Sequence, residues 1–224
     1  MRILIFALVL VVAFAFAADD QLGAIRTAGS TGGAPSDANI YSQTYDFGNL
    51  LNGYSNYSAG SREVADDFEL TDDNDVREIV VWMIWTGGQA TQMNFRILSD
   101  DANDSNPATA TEVWSEGVPC VNVDTGDTNW GYVIWETTCT VNADAYPELT
   151  AGVHYYLTVQ AEVADNAYIL VSNHAVADLT WYYDGSAWAR CDAAFGEDSD
   201  LFFDLSGELT AIASTTWGNV KTLF

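Results

Sequence analysis

The stretch Tyr155-Tyr-Leu-Thr-Val-Gln-Ala161 decides the fold class of this chain. Every second residue is large and apolar, and the residues between them are partly polar. This period of two is typical of a β-strand that buries one face, whereas an amphipathic helix repeats its apolar residues every three or four positions. Phe95-Arg-Ile-Leu98 shows the same alternation. The two stretches together predict a half-buried antiparallel sheet.

Further strands are predicted along the body of the chain, separated by clusters of turn residues. They cover 63–70, 77–85, 91–98, 112–114, 118–123, 132–141, 154–162, 168–172, 180–183, 187–190 and 201–205. Residues 39–61 place Tyr and Phe between Gly, Asn and Ser, which suits a surface loop or short edge strands. Strands at this spacing without intervening helices favour an all-β, antiparallel β-sandwich over a barrel.

The N-terminus has the pattern of a secretory signal peptide. Met1-Arg2 supplies the positive start, residues 3–16 the apolar run and Ala15-Phe16-Ala17 the small-residue cleavage site. Residues 1–17 are therefore predicted to be removed and the protein to work outside the cytoplasm; an uncleaved membrane anchor is the alternative. Residues 18–39, rich in Gly, Ala, Ser and Thr, are predicted to be a flexible leader to a domain at 40–209.

The last residues, 210–224, differ from the body. Ser214, Thr215 or Thr216 could cap a short C-terminal helix on which Trp217, Val220 and Phe224 share a face. A frayed tail or a last packed turn is the alternative.

Acidic residues dominate the charge, with 32 Asp and Glu against 7 Lys and Arg and a net charge of −25. Such a field repels nucleic acid and anionic lipid, and it leaves cations, basic partners or neutral sugars as ligands. The acids are scattered, and the chain is rich in hydrophobic and aromatic residues, so we expect a folded protein with an acidic surface.

Three cysteines in an oxidising compartment predict one disulfide and one leftover thiol. Cys120 and Cys139 lie at similar distances from the turn-rich stretch 124–131, so a hairpin would bring them together. Two buried free cysteines remain the alternative. Cys191 is the leftover thiol.

The hairpin Trp181-Tyr-Tyr-Asp-Gly-Ser-Ala-Trp188 is the predicted ligand site. An Asp-Gly turn joins its two strands, so Trp181, Tyr183 and Trp188 could present flat faces to a sugar ring while Asp184 binds hydroxyls. Core packing of these aromatics is the competing interpretation.

Acidic loops are the second candidate. Asp100, Asp101 and Asn103 lie in a loop whose hard oxygens could bind Ca²⁺. The spacing only partly fits an EF-hand, because Asn106 replaces the required glycine. Solvated acidic loops are the alternative.

Few features of the sequence indicate catalysis. His154 and His174 are isolated in sequence, and no nucleophile, zinc or phosphate-loop motif occurs. We therefore expect a secreted, non-catalytic module that contacts carbohydrate or a surface polymer and is steadied by calcium. A structural or adhesive extracellular subunit without a small ligand is the alternative, and a carbohydrate-active enzyme comes third.

Several stretches carry a family resemblance, which covers about residues 63–207. They are Val64-Ala-Asp-Asp-Phe-Glu-Leu70, Ile79-Val-Val-Trp-Met-Ile-Trp-Thr-Gly87, Phe95-Arg-Ile-Leu-Ser-Asp-Asp101, Leu149-Thr-Ala-Gly-Val-His-Tyr-Tyr-Leu-Thr-Val159, Gly185-Ser-Ala-Trp188 and Asp200-Leu-Phe-Phe-Asp-Leu205. With them the chain resembles a loosely defined group of secreted bacterial β-sandwich domains. The resemblance implies a jelly-roll-like or galactose-binding-like fold and extracellular binding or surface assembly, with no catalytic residues. Trp217-Gly-Asn-Val-Lys-Thr-Leu-Phe224 also resembles endings of secreted bacterial proteins, which implies a sorting or attachment tag.

Overall fold

A computed structural model of the protein describes residues 37–164, 167–173 and 180–210. The predicted signal peptide, all but the last three residues of the predicted leader, His174 and the predicted C-terminal helix lie outside the described residues.

The described residues form fourteen strands, one short α-helix and two 3₁₀ turns. The helix α1 is Cys191–Phe195, and the 3₁₀ turns are Phe47–Asn49 and Ser58–Gly60. The strands are β1 Ala38–Gln43, β2 Leu50–Ser55, β3 Glu63–Glu69, β4 Asn74–Trp85, β5 Gln92–Ser99, β6 Thr111–Asn129, β7 Tyr132–Thr140, β8 Glu148–Leu149, β9 His154–Ala161, β10 Ala167–Ser172, β11 Trp181–Tyr183, β12 Trp188–Arg190, β13 Asp200–Leu201 and β14 Phe203–Leu209.

One long strand, β6, connects two groups of strands into a continuous hydrogen-bonded sheet. Its first half pairs with β5, and its second half pairs with β7. We call the group β1-β14-β4-β7 with the second half of β6 the first sheet; β2, β8, β10 and β13 join it as well. The second sheet runs from the first half of β6 through β5, β9, β3, β11 and β12. All these strand pairs are antiparallel.

Aromatic rings from both sheets meet in the largest buried cluster. Phe68 of β3 and Phe203 of β14 pack edge to face with ring centroids 6.1 Å apart. Tyr41 of β1 contacts both rings, at 5.6 Å and 5.0 Å. The inner faces of the two sheets therefore share one apolar core. The antiparallel β class is confirmed, whereas the strand topology does not confirm the sandwich or jelly-roll arrangement.

The largest departure from the predicted strands is β6. Residues 112–114, 118–123 and the stretch 124–131, predicted as two strands and a turn, form one strand up to Asn129. An irregularity between Asp124 and Thr128 places extra residues in this strand, and it is here that the sequence looks rich in turn residues. Part of 39–61, predicted as loop or edge strands, forms β1 and β2.

The alternation that predicted the fold is preserved in β5, where Met93, Phe95 and Ile97 are buried and the residues between them are half-buried. In β9 the prediction of one solvated face is wrong. Residues 155–159 are all buried, so this strand is covered on both faces. Arg96 extends to Thr158, and the ring of His154 packs against Tyr156 at 5.2 Å. Polar side chains therefore cover the outer face of the second sheet.

Candidate functional site

The predicted aromatic hairpin is formed by β11 and β12. Trp181 pairs with Arg190 and Tyr183 pairs with Trp188, and paired residues of antiparallel strands lie on the same face. Tyr182, one residue on from Trp181, lies on the opposite face and is buried. Tyr182 is thus the aromatic residue of the hairpin that packs into the core. Trp181, Tyr183 and Trp188 stay half-exposed.

The rings of Tyr183 and Trp188 touch, with centroids 5.3 Å apart and planes tilted by 42°. Asp184, the fourth predicted residue, holds the turn between them. Its Oδ1 accepts hydrogen bonds from the hydroxyl of Ser186 at 2.7 Å and from the backbone N–H groups of Ser186 and Ala187 at 2.8 Å and 3.0 Å. The Ser186 hydroxyl and these N–H groups lower the pKa of Asp184 to about 2. Asp184 therefore stays ionised and positions the turn.

Strand pairing carries this face from the hairpin across the second sheet. Tyr183 pairs with Glu63 of β3, and Trp181 pairs with Ala65. Ala65 pairs in turn with Thr158 of β9, which pairs with Arg96 of β5. Because partners share a face, the aromatic rings and these polar side chains belong to one continuous surface.

A cleft of about 370 Å³ opens on this surface, and we call it the polar cleft. It is lined by Glu63, Asn94, Phe95, Arg96, Ser115, Glu116, Gly117, Thr158 and Gln160. Carboxylate, amide, guanidinium and hydroxyl groups thus converge on one depression.

Arg96 anchors the polar cleft. Its guanidinium forms an ion pair with Glu63, approaches Oε2 of Glu112 at 3.8 Å, and donates from Nε to the hydroxyl of Thr158 at 3.3 Å. These contacts fix the direction of the Glu63 carboxylate, because Arg presents its donors in a rigid plane. One edge of the cleft is therefore a preorganised charge pair.

The other end of the polar cleft is made of amides. Asn94 donates from Nδ2 to Oε2 of Glu162 at 2.6 Å and to Oε1 of Gln160 at 3.4 Å. Gln160 donates to the backbone carbonyl of Arg62 at 3.2 Å. Gly117 leaves the space beside them open, since a Cβ there would clash with Nε2 of Gln92 and lie 3.1 Å from Oδ1 of Asn94.

The residues predicted to bind calcium lie beyond the end of β5. The carboxylate of Asp100 accepts backbone N–H groups of Asp104 and Ser105, at 3.3 Å and 3.0 Å, and faces Nδ1 of His154 at 3.2 Å. Asp101 accepts the Ser99 hydroxyl at 2.7 Å. Asn103 adopts a positive φ of 50° in the loop. Among the described residues no group of three or more His, Cys, Asp or Glu side chains could hold a metal ion together.

His154 links the loop to the sheet, since its Nε2 also lies 3.0 Å from Oδ2 of Asp67. Burial of the imidazole opposes protonation, but the hydrogen bonds and charges of Asp67 and Asp100 outweigh it and raise the pKa of His154. The imidazole thus lies between two carboxylates, those of Asp67 and Asp100.

Cys120 and Cys139 are paired in the register of β6 and β7. Both are thiols in this structure, as is the buried Cys191. The N–H of Cys120 donates to the carbonyl of Thr91 at 3.0 Å, away from β7, so the two cysteines form a non-hydrogen-bonded pair. Such pairs place their Cα atoms about 4.5 Å apart, within the range that a disulfide spans. The disulfide itself stays a prediction.

Sequence reasoning missed the polar cleft while finding the hairpin at its edge. Glu63, Asn94, Arg96 and Gln160 occupy outward positions of strands that were predicted, so their alternation with apolar residues was a usable signal. What the sequence does not show is that β5, β9, β3 and β11 lie side by side.

Among the described residues, no helix has the length and apolar character needed to cross a membrane. Comparison with models of known protein families gives no match, and comparison with curated proteins gives none either. The likeness to secreted β-sandwich domains therefore stays a resemblance, and what is established is a largely antiparallel β-sheet protein.

Proposed function

We propose that the outer face of the second sheet binds carbohydrate, with the β11–β12 hairpin as its aromatic platform. The observation that carries the proposal is the strand register that places Tyr183 and Trp188 beside Glu63 and the polar cleft. Sugar rings stack their C–H faces on aromatic rings, and their hydroxyls bond to planar carboxylate, amide and guanidinium groups.

Charge supports a neutral ligand for this face. The net charge of −25 repels anionic polymers, whereas an uncharged glycan meets no such barrier. The Glu63–Arg96 ion pair holds a carboxylate and a guanidinium in place before any ligand arrives. Preorganised groups lose little conformational freedom on binding, so each hydrogen bond to a hydroxyl retains more of its value.

We propose further that the protein works outside the cell after removal of residues 1–17, as a module that binds without catalysis. We also propose that the two sheets are the layers of a β-sandwich, which the contact of Phe68 with Phe203 supports. Calcium stays a prediction at Asp100, Asp101 and Asn103, and chelation during the binding experiment tests it. The hydrogen bonds that Asp100 accepts leave its carboxylate fewer lone pairs for a cation.

The test is a glycan array followed by calorimetric titration of the best soluble glycan, with Trp188→Ala and Glu63→Gln as variants. We expect Trp188→Ala to weaken binding by about two- to tenfold, because an aromatic contact is worth about 0.5–1.5 kcal/mol. Phe47→Ala is the matched control, since Phe47 is an exposed aromatic in the 3₁₀ turn after β1.

Three results would count against the proposal. The first is a chain that retains no glycan with or without calcium, and the second is Trp188→Ala binding as tightly as the unaltered chain. The third is an equal loss of affinity in Phe47→Ala, which would reveal a general effect of removing surface aromatics.

A structural or adhesive subunit is the second candidate function, favoured by the second half of β6. Beyond Cys120, the described residues give this strand a partner only on its β7 side. Val121 and Val123 on it are 66% and 53% exposed. An open edge with exposed β-branched residues is a template for strand addition. Concentration-dependent self-association that Val121→Lys abolishes would support this function.

A further inference from the structure

A second cleft lies on the first sheet, at the tip of the β6–β7 hairpin. It has a volume of about 340 Å³, and we call it the aromatic cleft. It is lined by Asn52, Gly53, Ile84, Thr86, Trp130, Tyr132 and Tyr168. None of these residues belongs to the polar cleft, so whatever it binds is additional to the proposed glycan.

Trp130 occupies an unfavourable backbone position at this tip. Asn129 pairs with Tyr132, and the two residues between them, Trp130 and Gly131, have φ values of 51° and 84°. Positive φ at both positions defines a type I′ turn, which favours Asn or Gly because a Cβ is crowded in the left-handed region. A bulky tryptophan there is an outlier, and it remains 53% exposed, so core packing does not offset its cost. An outlier of this kind points to a role in binding.

The other walls of the cleft are two tyrosine rings and a glycine that leaves room beside one of them. Tyr132 is 44% exposed and stands next to the turn. Tyr168 pairs with Ile84 on the floor. Gly53 lies under Tyr168, and a Cβ at Gly53 would lie 3.2 Å from the Cβ of Tyr168. A side chain at this position would therefore press on the aromatic wall.

The described residues that line the cleft carry no charge. Their only amide, Asn52, donates to Glu197 at 2.8 Å and accepts the N–H of Gly53 at 2.8 Å. Aromatic rings make up much of the remaining lining, which suits a ligand that contacts ring faces. An anion would meet the field of a chain with 32 acidic and 7 basic residues.

We propose that the aromatic cleft binds a small organic cation that carries alkyl groups on nitrogen, such as a quaternary ammonium. The faces of Trp and Tyr rings attract cations through their quadrupole, and the alkyl groups suit an apolar floor. The negative field of the protein adds long-range attraction. Trp130 supplies the strongest of these ring faces.

Choline is the probe for this proposal, titrated calorimetrically into the full chain at low salt. Its neutral isostere 3,3-dimethylbutan-1-ol has the same shape without the charge. We expect choline to bind about tenfold more tightly than the isostere, in line with the strength of a cation–π contact.

Trp130→Asn is the decisive variant, because Asn is favoured at this turn position and the fold is expected to persist. It should weaken choline binding about tenfold while its Tm equals or exceeds that of the unaltered chain. Phe47→Ala, which removes an exposed aromatic elsewhere, should leave choline binding unchanged. Equal binding of choline and its isostere, no choline binding, or unchanged affinity in Trp130→Asn would each overturn the proposal. None of these results depends on whether the polar cleft binds a glycan.

Discussion

Reduction of the predicted Cys120–Cys139 bond should destabilise the protein. The size of the effect follows from the length of the loop that the bond would close. The bond would close a loop of about twenty residues, for which the loss of chain entropy in the unfolded state corresponds to about 3 kcal/mol. In a chain of this size, 1 kcal/mol shifts Tm by about 2–4 °C, so reduction should lower Tm by about 6–12 °C.

The unequal pKa values of the two thiols set the order in which they would react. The hydrogen bond with Cys139 lowers the pKa of Cys120, whereas burial and then the interaction with Cys120 raise the pKa of Cys139. Cys120 is therefore the thiol that ionises and attacks a carrier disulfide, and Cys139 then attacks the sulfur of Cys120 and releases the reduced carrier. In this exchange the two thiols lose two electrons and two protons to the carrier.

Thiol titration of the denatured chain and thermal unfolding with and without reductant measure this prediction. The oxidised chain should show one titratable thiol and the reduced chain three. The double variant Cys120→Ala/Cys139→Ala should unfold at one temperature in both conditions, while Cys191→Ala should keep the shift. Three titratable thiols in chain collected from an oxidising compartment would refute the reasoning, as would a Tm that reductant leaves unchanged.

Two further predictions concern Asp66 and Gly117. Burial, and then the charges of Asp200 and Asp67, raise the pKa of the fully buried Asp66 well above its ordinary value. The native state therefore binds a proton that the unfolded chain releases, so this stability is present below about pH 4 and is lost as pH rises through the folded pKa. An amide keeps only one of the two oxygens that accept the N–H groups of Leu201 and Asp67, so Asp66→Asn loses one of these hydrogen bonds at every pH. Its Tm, relative to that of the unaltered chain, should still be more favourable at pH 8 than at pH 4, measured by differential scanning calorimetry. An equal Tm change at both pH values would count against this prediction. Gly117→Val should press on the side chains of Gln92 and Asn94, fill this part of the polar cleft and weaken glycan binding several-fold. Gly88→Val, where a Cβ meets nothing within 4 Å, should bind normally. Normal affinity in Gly117→Val would exclude this part of the cleft.

The sequence predicts the fold class because the alternation in β5 and β9 depends on local chemistry alone. It predicts β1 and β2 poorly, since Gly, Asn and Ser interrupt their apolar residues. The sequence also predicts that Cys120 lies opposite Cys139, but the position of the turn alone does not produce this register. Counting back from the actual turn at Trp130-Gly131 would place Cys120 opposite Val141, and only the extra residues between Asp124 and Thr128 restore the observed pairing.

The polar cleft could not be found from sequence for a different reason. Besides β6, its strands come from positions 63–69, 92–99 and 154–161, and the adjacency of these three follows from long-range pairing that leaves no local signal. Each polar residue, taken alone, looks like the solvated side of a strand. The hairpin was found because its aromatic residues and its turn lie within eight consecutive residues, close enough for a local pattern to reveal them.

The acidity of the protein acts differently on the two proposed ligands, which separates them physically. A neutral glycan at the polar cleft depends on stacking and short hydrogen bonds, and these change little with ionic strength. An organic cation at the aromatic cleft would depend in part on the summed field of scattered carboxylates, and salt screens exposed charges that lie farther apart than the Debye length of about 8 Å at physiological salt. Added salt should therefore weaken binding of the organic cation and leave the affinity for the glycan nearly unchanged.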